Sequence, residues 1–330
     1  MKKNNELEKL EKLDKNIKKK VNDTFGVDVN TLLTVLLRNP GAMGYLHGAL
    51  SEEKLKKQLI AEGCEVYRIK EKPAGGFDEK KEHYKGDFLI KLPGQDKYMV
   101  VESKGLKTNS EFRGDNKIGS INKTKIINKI SRLLNDTNQK KYDSGFKRYS
   151  KKKSEWESKN PGKKFPEFSW NIEYPGASSI DLSQVFRNKT EVKDYFNNIS
   201  NEKFEEKAFR EKNAAYYILE THKPSNRIDP ITGIKQAAPL KSEFSILAVD
   251  LYQKYGEHFF VFADSNELPH SPTSPNHLYQ NYEIDILIPG LKNDLNINKP
   301  WFTSISELIK HSSPRTVDFD ISQVDERVSD

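Results

Sequence analysis

The chain has 330 residues, of which 35% are hydrophobic and 31% charged, and its 17 Phe and 14 Tyr exclude a wholly disordered polypeptide. The single cysteine, Cys64, excludes an intrachain disulfide and a cysteine-type zinc site. A net charge of +7 favours a polyanionic partner. Neither a run of about 20 apolar residues nor a secretory leader pattern is seen, so we expect a cytoplasmic protein without a membrane span.

Residues 1–44 are predicted to form an N-terminal helical region. Residues 5–21 are predicted to be a helix because apolar residues recur there at three- and four-residue spacing. A second apolar stretch, Val29 to Leu37, ends at Asn39-Pro40-Gly41, a sequence that breaks regular structure. The apolar positions of the first helix are Leu7, Leu10, Leu13, Ile17 and Val21.

A central core is predicted over residues 45–138. Its first helix is expected to run from Glu52 to Glu62, with Ser51 as the N-cap and Gly63 after the last turn. A short strand over 64–69 and a polar loop over 71–85 follow. A helix is predicted over residues 118–138, where isoleucines and leucines recur at helical spacing.

The most informative segment of this core is a predicted β-hairpin. Residues 87–92 and 97–104 are strand-like, and Pro93-Gly94-Gln95-Asp96 forms the turn between them. Because side chains alternate along a strand, Glu102 and Lys104 are expected on one face. They follow Met99-Val100-Val101, which predicts a buried central strand.

Two further regions complete the chain. Residues 139–220 are predicted to be basic and helical; the window 140–164 holds ten Lys or Arg against three Asp or Glu (10 − 3 = +7), and 181–220 is expected to be mostly helical. Residues 221–330 are predicted to extend the sheet and add recognition elements. Strands are expected over 244–252, 258–263 and 282–288, then a helix over 301–310 and a loosely structured tail after Pro314.

The hairpin acids and lysine have a chemical interpretation. Hydrolysis of a phosphodiester needs a hard divalent cation, which prefers oxygen ligands, and a positive charge near the attacking water. Asp87, Glu102 and Lys104 on rigid strands supply these groups. The alternative is that all three are ordinary surface charges, but charges at the end of a buried strand need compensation.

The run Gly86-Asp87 … Val100-Val101-Glu102-Ser103-Lys104-Gly105 resembles the PD-(D/E)XK nuclease motif, and the chain is similar to a type II restriction endonuclease. The resemblance covers mainly residues 45–135, and Gly86 stands where the motif has proline. It implies that Asp87, Glu102 and the Ser103 carbonyl bind Mg²⁺. It also implies that Lys104 positions or polarises the attacking water.

Many such nucleases add a glutamate from the preceding helix, and Glu52 resembles that feature more than Glu53 does. Attraction to the N-terminal dipole of a helix would explain Glu52 equally well. The loop after the hairpin offers DNA contacts through Lys107, Asn109, Arg113 and Lys117, or it is a solvated loop. The basic window, with Lys151, Lys152 and Lys153, either follows the DNA backbone or is a solvated loop.

Histidines offer no second metal site by spacing, and we expect structural or surface roles for His258, His270 and His277. The predicted fold class is α/β: a mixed central sheet flanked by helices, restriction-endonuclease-like, with helical additions. The predicted function is Mg²⁺-dependent, sequence-specific cleavage of double-stranded DNA by a homodimer. A restriction role implies a cognate DNA methyltransferase in the same system. The alternatives are a repair, junction-resolving or transposition nuclease with the same core, and a non-catalytic DNA-binding protein.

Overall fold

A computed structural model describes most of the chain and divides it into two units, Met1–Leu50 and Ser51–Asp330. The domain boundaries expected from the sequence are not tested by this division. The residues described are 2–70, 84–105, 107–108, 123–135, 138–170, 182–200, 216–220, 226–252, 257–279, 281–286 and 299–325.

Three helices begin the chain: α1 (Lys2–Phe25), α2 (Val29–Arg38) and α3 (Pro40–Ala61). The predicted first helix and the break at residue 39 are confirmed, and the apolar stretch before the break is α2. The predicted start of the third is wrong: α3 begins at Pro40, and Ser51 is a buried residue within it rather than its N-cap. Among the described residues, no helix is long and apolar enough to cross a membrane.

Five strands form the main sheet: β1 (Glu65–Arg68), β2 (Phe88–Lys91), β3 (Met99–Gly105), β8 (Ile246–Asp250) and β9 (Phe260–Asp264), in the order β1-β2-β3-β8-β9. β3 is central and pairs antiparallel with β2 but parallel with β8. The predicted mixed α/β sheet, the hairpin at its centre and the strands near 64–69, 244–252 and 258–263 are confirmed. The remaining neighbours in the sheet are antiparallel.

Apolar side chains on both faces of the central strand explain why this sheet forms where it does. Met99 and Val101 join one apolar cluster with Leu55 and Leu59 of α3, while Val100 joins another cluster on the opposite face. Both faces are therefore covered by apolar side chains, as expected for a strand with a parallel neighbour. The second cluster includes residues from α4 (Lys123–Asn135), α6 (Leu182–Val185) and α7 (Lys189–Asn198).

Between β3 and β8 the structure is only partly as predicted. Helix α4 lies within the predicted 118–138 segment, and most of the basic window is the helix α5 (Asn138–Lys159) rather than a loop. The prediction that 181–220 is mostly helical is wrong at its end, where Tyr216–Glu220 is the strand β5. This strand pairs with β4 (Lys107–Thr108) and β12 (Asn281–Ile286), the latter overlapping the predicted 282–288 strand.

The C-terminal segment is better ordered than its sequence suggested. The predicted last helix is confirmed as α8 (Ile305–His311), capped by the Ser304 side chain. Beyond it, Val317 exchanges backbone hydrogen bonds with Tyr98, and Val324 bridges to Ile69. Over the described residues 315–325 the expectation of a loose tail is wrong, because the aromatic ring of Phe319 packs against those of Tyr67 and Tyr98, each with centroids 5.0 Å apart. The other short elements are β6 (Arg227–Ile228), β7 (Lys235–Gln236), β10 (His270–Ser271), β11 (Ser274–Leu278) and a 3-10 helix (Ile321–Gln323).

Candidate active site

Asp87 and Glu102 meet at one end of the β2–β3 hairpin. Phe88, the residue after Asp87, pairs with Val101, the residue before Glu102. The Asp87 backbone N–H donates a 2.8 Å hydrogen bond to the Val101 carbonyl, which holds Asp87 beside the end of β3. The charge of Glu102 raises the pKa of the Asp87 carboxyl, so the two acids lie close in space. The hairpin therefore brings together the two carboxylates that the sequence predicted as metal ligands.

Gly86, immediately before Asp87, lies where no side chain fits. A Cβ there would be 2.6 Å from Val100 Cγ1 and 2.8 Å from the Val101 carbonyl oxygen. The Val101 oxygen belongs to the backbone of the central strand, so moving it to make room would disturb the sheet. The close approach explains why this chain has glycine at the position where the motif that it resembles has proline.

Lys104 is the cation of the site. Its ammonium group forms an ion pair with Glu102 Oε1, and the side chains are 26% and 3% exposed, respectively. Lys104 is two residues beyond Glu102 on β3, so strand alternation puts both on one face as predicted. Ser103 lies between them, and its backbone N–H donates a 2.6 Å hydrogen bond to Asp87 Oδ2. Its carbonyl as a metal ligand stays a prediction.

Electrostatic interactions within this group are strong. Burial, followed by repulsion from Glu102, raises the pKa of Asp87 above its ordinary value, although Lys104 and the Ser103 hydrogen bond oppose the rise. Burial acts to lower the pKa of Lys104, but attraction to Glu102 and Asp87 outweighs it and the pKa is raised. In the metal-free protein the lysine therefore stays charged while the aspartate is prone to take up a proton.

Glu52 lies close enough to influence these groups, since its charge raises the pKa values of both Asp87 and Lys104. Its carboxylate forms an ion pair with Arg68 of β1. The alternative explanation of Glu52 by a helix N-terminus is wrong, because α3 begins at Pro40, twelve positions earlier. Glu53 instead pairs with Lys57 at the surface, with an N–O distance of 3.1 Å.

A buried carboxylate anchors the segment that leads into Asp87. Glu243 accepts a 2.6 Å hydrogen bond from Arg227 Nε and lies 3.4 Å from the Lys85 ammonium nitrogen. Its backbone carbonyl also accepts a 3.3 Å hydrogen bond from the Lys85 N–H. Lys85 thus links a core acid to Gly86 and Asp87, a connection between residues about 160 positions apart that local sequence patterns do not reveal.

The residues predicted to contact DNA are not brought together by the described part of the structure. Lys107 belongs to β4, but its side chain lies outside the described residues, as do Asn109, Arg113 and Lys117 altogether. Lys151, Lys152 and Lys153 are successive residues of α5 and so point in different directions around the helix. Lys151 is exposed, whereas the Lys153 ammonium lies 5.9 Å from the centre of the Tyr149 ring.

Two of the histidines have the structural surroundings that we expected. Buried His270 accepts a 3.0 Å hydrogen bond from the Ser169 N–H, and buried His277 lies 2.7 Å from the Ser274 hydroxyl. Burial lowers the pKa of each imidazole, to about 4 for His270. Neutral, hydrogen-bonded imidazoles of this kind support the fold.

One polar pair near the site was missed by the sequence analysis. Asp250 ends the buried strand β8 beside Gly105 of β3, and its Oδ2 lies 2.6 Å from His258 Nδ1. The His258 ring also stacks on that of Tyr252, with centroids 4.6 Å apart. An acid that ends a wholly apolar run, residues 246–249, was the signal available in the sequence.

The oxygen donors suit a hard divalent cation. Asp87 and Glu102 contribute two negative charges at the end of β3, whereas Lys104 contributes one positive charge, so a cation would relieve the repulsion that raises the pKa of Asp87. Among the described residues, no group of three or more His, Cys, Asp or Glu side chains is placed to hold a metal ion. Two carboxylates and a backbone carbonyl are therefore the donor set to consider.

Searches against protein-family models, curated proteins and solved structures found no match to this chain.

Proposed function

We propose that the chain is a Mg²⁺-dependent endonuclease that hydrolyses phosphodiester bonds in double-stranded DNA. The observation that supports this most directly is the grouping of Asp87, Glu102 and Lys104 at the end of the central strand. An ion pair between buried Glu102 and half-buried Lys104, beside a second carboxylate, contributes little to stability in return for its desolvation. A catalytic role accounts for its presence there, because functional sites are where such perturbed groups concentrate.

Asp87, Glu102 and the Ser103 carbonyl would hold the metal. When bound, Mg²⁺ supplies Lewis-acid activation of the phosphate and lowers the pKa of a coordinated water. The hydrogen bond from the Ser103 N–H holds one Asp87 oxygen against β3, so the carboxylate is oriented before any ligand arrives. Such preorganisation matters because positioning errors of about 1 Å are costly in catalysis.

Lys104 has a separate task. Its charge is retained because the two acids raise its pKa, so it can stabilise the negative charge that develops on the attacking water and the phosphate. The Glu102 carboxylate holds the ammonium group in place through their ion pair. Glu52, paired with Arg68, would adjust the local potential or provide an outer ligand.

Within this class we favour a type II restriction endonuclease acting as a homodimer, with a cognate DNA methyltransferase protecting the host. The finer assignment rests on the sequence motif together with a mixed sheet that has the hairpin at its centre and helices on both faces. The rivals remain a repair, junction-resolving or transposition nuclease and a non-catalytic DNA-binding protein.

The test is digestion of a set of plasmids with purified protein and Mg²⁺, followed by sequencing of the cut ends. Restriction predicts discrete bands with a shared sequence at every end, and cleavage that depends on DNA structure would favour the rival nucleases. Asp87→Ala and Glu102→Ala should each abolish cleavage and leave DNA binding largely intact. Asp96→Ala, at an exposed position in the turn of the same hairpin, is the control and should cut normally. Cleavage at a normal rate by either site variant would disprove the assignment.

A further inference from the structure

The N-terminal unit, Met1–Leu50, has no core of its own among the residues described. Of the side chains at positions 12–39 and 41–50, none is buried. Large apolar side chains there are instead open to solvent, including Leu37 at 76% and Tyr45 at 85% exposure. The others are Leu13, Ile17, Phe25, Leu33, Val35, Leu46 and Leu50.

Helices with so many exposed apolar side chains are stable only when another apolar surface packs against them. A helix as short as the ten residues of α2 is marginal in water on propensity alone, and most helical stability comes from packing an apolar face. Val29, Leu32 and Leu36 of α2 are half-buried, whereas Leu33 and Leu37 form a second, exposed apolar row. A helix that is apolar on more than one side is one that becomes buried.

The chemistry of the surface restricts what can cover it. Positions 29–37 contain no charged residue, so an acidic or basic partner would gain nothing there. A run of exposed apolar side chains marks a contact with another apolar surface. A second copy of this unit offers a surface of that composition.

The α1 sequence is complementary to itself when two copies run antiparallel. Residues 6–14 contain four acids and two lysines, whereas residues 15–20 contain four lysines and no acid. A two-fold axis near Asp14 would set each acidic half against the basic half of the other copy. The apolar spacing is nearly symmetric about the same point: Leu7 and Val21 are both seven positions away, Leu10 and Ile17 are four and three away, and Leu13 lies beside the axis.

We propose that residues 1–50 are a dimerisation unit, in which α1 pairs antiparallel with α1 of a second copy and the exposed row of α2 is buried between the copies. The inference does not depend on the proposed nuclease activity. If the chain is both a dimer of this kind and a nuclease, dimerisation through this unit provides the two copies of the active centre that cleavage of both strands requires.

The first test measures the mass of the full-length chain by light scattering over a range of concentrations, without metal or DNA. Wild type should be a dimer at micromolar concentration. Leu33→Glu/Leu37→Glu should weaken dimerisation at least about a hundredfold, since two leucines lose their burial. The matched control, Ile228→Glu/Ile231→Glu, changes two exposed isoleucines outside this unit, at 55% and 61% exposure, and should stay dimeric.

A second pair of variants keeps the inference testable if the leucine variant misfolds. Lys18→Glu/Lys19→Glu/Lys20→Glu leaves α1 with five lysines and eight acids, a net charge of 5 − 8 = −3, and Glu6→Lys/Glu8→Lys/Glu11→Lys leaves it with eleven lysines and two acids, a net charge of 11 − 2 = +9. Each should dimerise poorly alone, and mixing them should restore a dimer. A wild-type chain that is monomeric at all concentrations, a leucine variant that folds and still dimerises, or charge variants that dimerise alone as wild type does would overturn the proposal.

Discussion

The Asp87 carboxylate accepts a 2.6 Å hydrogen bond from the backbone N–H of Ser103, so an acid on one strand is fixed by the strand that holds Glu102 and Lys104. A hydrogen bond to an ionised acceptor is short and strong, and this one favours the charged form of Asp87. Burial and Glu102 act in the opposite direction, and their effect is larger. The site thus fixes the orientation of the Asp87 carboxylate, although burial and Glu102 destabilise its negative charge.

The pH dependence of cleavage follows from this balance. Burial and Glu102 raise the pKa of Asp87 to about 7 in the metal-free protein, and a metal must displace the proton. At low Mg²⁺ concentration, we expect the single-turnover rate to rise with pH with a midpoint near that value and to level off above it. More Mg²⁺ should move the midpoint to lower pH. A midpoint that does not move with Mg²⁺ would show that another group limits the rate.

The raised pKa of Asp87 also predicts that the metal-free protein becomes less stable as the pH rises, whereas its cleavage rate increases. Because the folded-state pKa of Asp87 is raised above that of the unfolded chain, stability should fall as pH rises from about 4 to 7. Asp87→Asn removes the charge and should stabilise the metal-free protein at pH 7.5 by on the order of 1 kcal/mol. Thermal unfolding at several pH values measures this, with Asp96→Asn as the unaffected control. Ca²⁺ should raise the Tm of wild type but much less that of Asp87→Asn.

Replacing Lys104 separates catalysis from metal binding. Lys104→Ala should slow the chemical step by about a hundredfold or more, since one electrostatic stabiliser is lost. Metal binding should survive and tighten, because Glu102 and Asp87 lose their nearby positive charge. Single-turnover cleavage and Ca²⁺-supported DNA binding measure the two effects. Lys97→Ala is the control, since its side chain is 59% exposed. A variant that cuts normally at saturation but binds DNA poorly would make Lys104 a DNA contact.

Gly86 provides a steric test of the site. Gly86→Ala adds a Cβ that would come within 2.8 Å of the Val101 carbonyl oxygen, so the segment before Asp87 must shift. We expect cleavage to fall at least about tenfold, because small displacements of a catalytic group are costly. Gly105→Ala is the matched control, since its added Cβ meets no atom within 4 Å. Equal activity of the two variants would remove any role for the close packing at Gly86.

Lys151 and Lys153 of α5 should differ in their effect on DNA binding. Lys151 is exposed and its ammonium lies 4.0 Å from Glu155, whereas Lys153 lies over the Tyr149 ring. Lys151→Gln should therefore weaken binding to all sequences alike and reduce the salt dependence, if α5 follows the DNA backbone. Lys153→Gln should have the smaller effect on salt dependence. Identical salt slopes for wild type and Lys151→Gln would leave α5 without a phosphate contact.

The hairpin and its site were predictable because their signals are local. Apolar residues at 99–101, followed by Glu102 and Lys104 two apart, specify a buried strand that ends in charges on one face. The start of α3 was misread, although its signal is also local: the Asn39 side chain accepts a hydrogen bond from the Ala42 N–H, 3.1 Å away, with Pro40 in the first turn. Ser51 has a side chain suited to an N-cap, but it lies in the middle of the helix that begins at Pro40.

Other features could not be read from neighbouring residues. Tyr216–Glu220 is a strand because it pairs with residues 281–286, more than sixty positions later. The link between Lys85 and Glu243 and the contact of Phe319 with Tyr67 and Tyr98 likewise join distant parts of the chain. Strand propensity depends on such partners more than helix propensity does, so these elements are fixed by tertiary contacts.

The parallel pairing of β3 with β8 also governs when the protein becomes complete during synthesis. The Val100 N–H donates to the Ser245 hydroxyl across a sequence separation of 145 residues. At roughly 5–20 residues per second, translation leaves β3 without this neighbour for on the order of ten seconds. Long-range pairing is slow to form and leaves a strand edge open to other chains meanwhile. A ribosome-bound chain that already contains Asp87, Glu102 and Lys104 therefore lacks the finished sheet, and premature termination before β8 would yield an aggregation-prone fragment rather than a smaller folded protein.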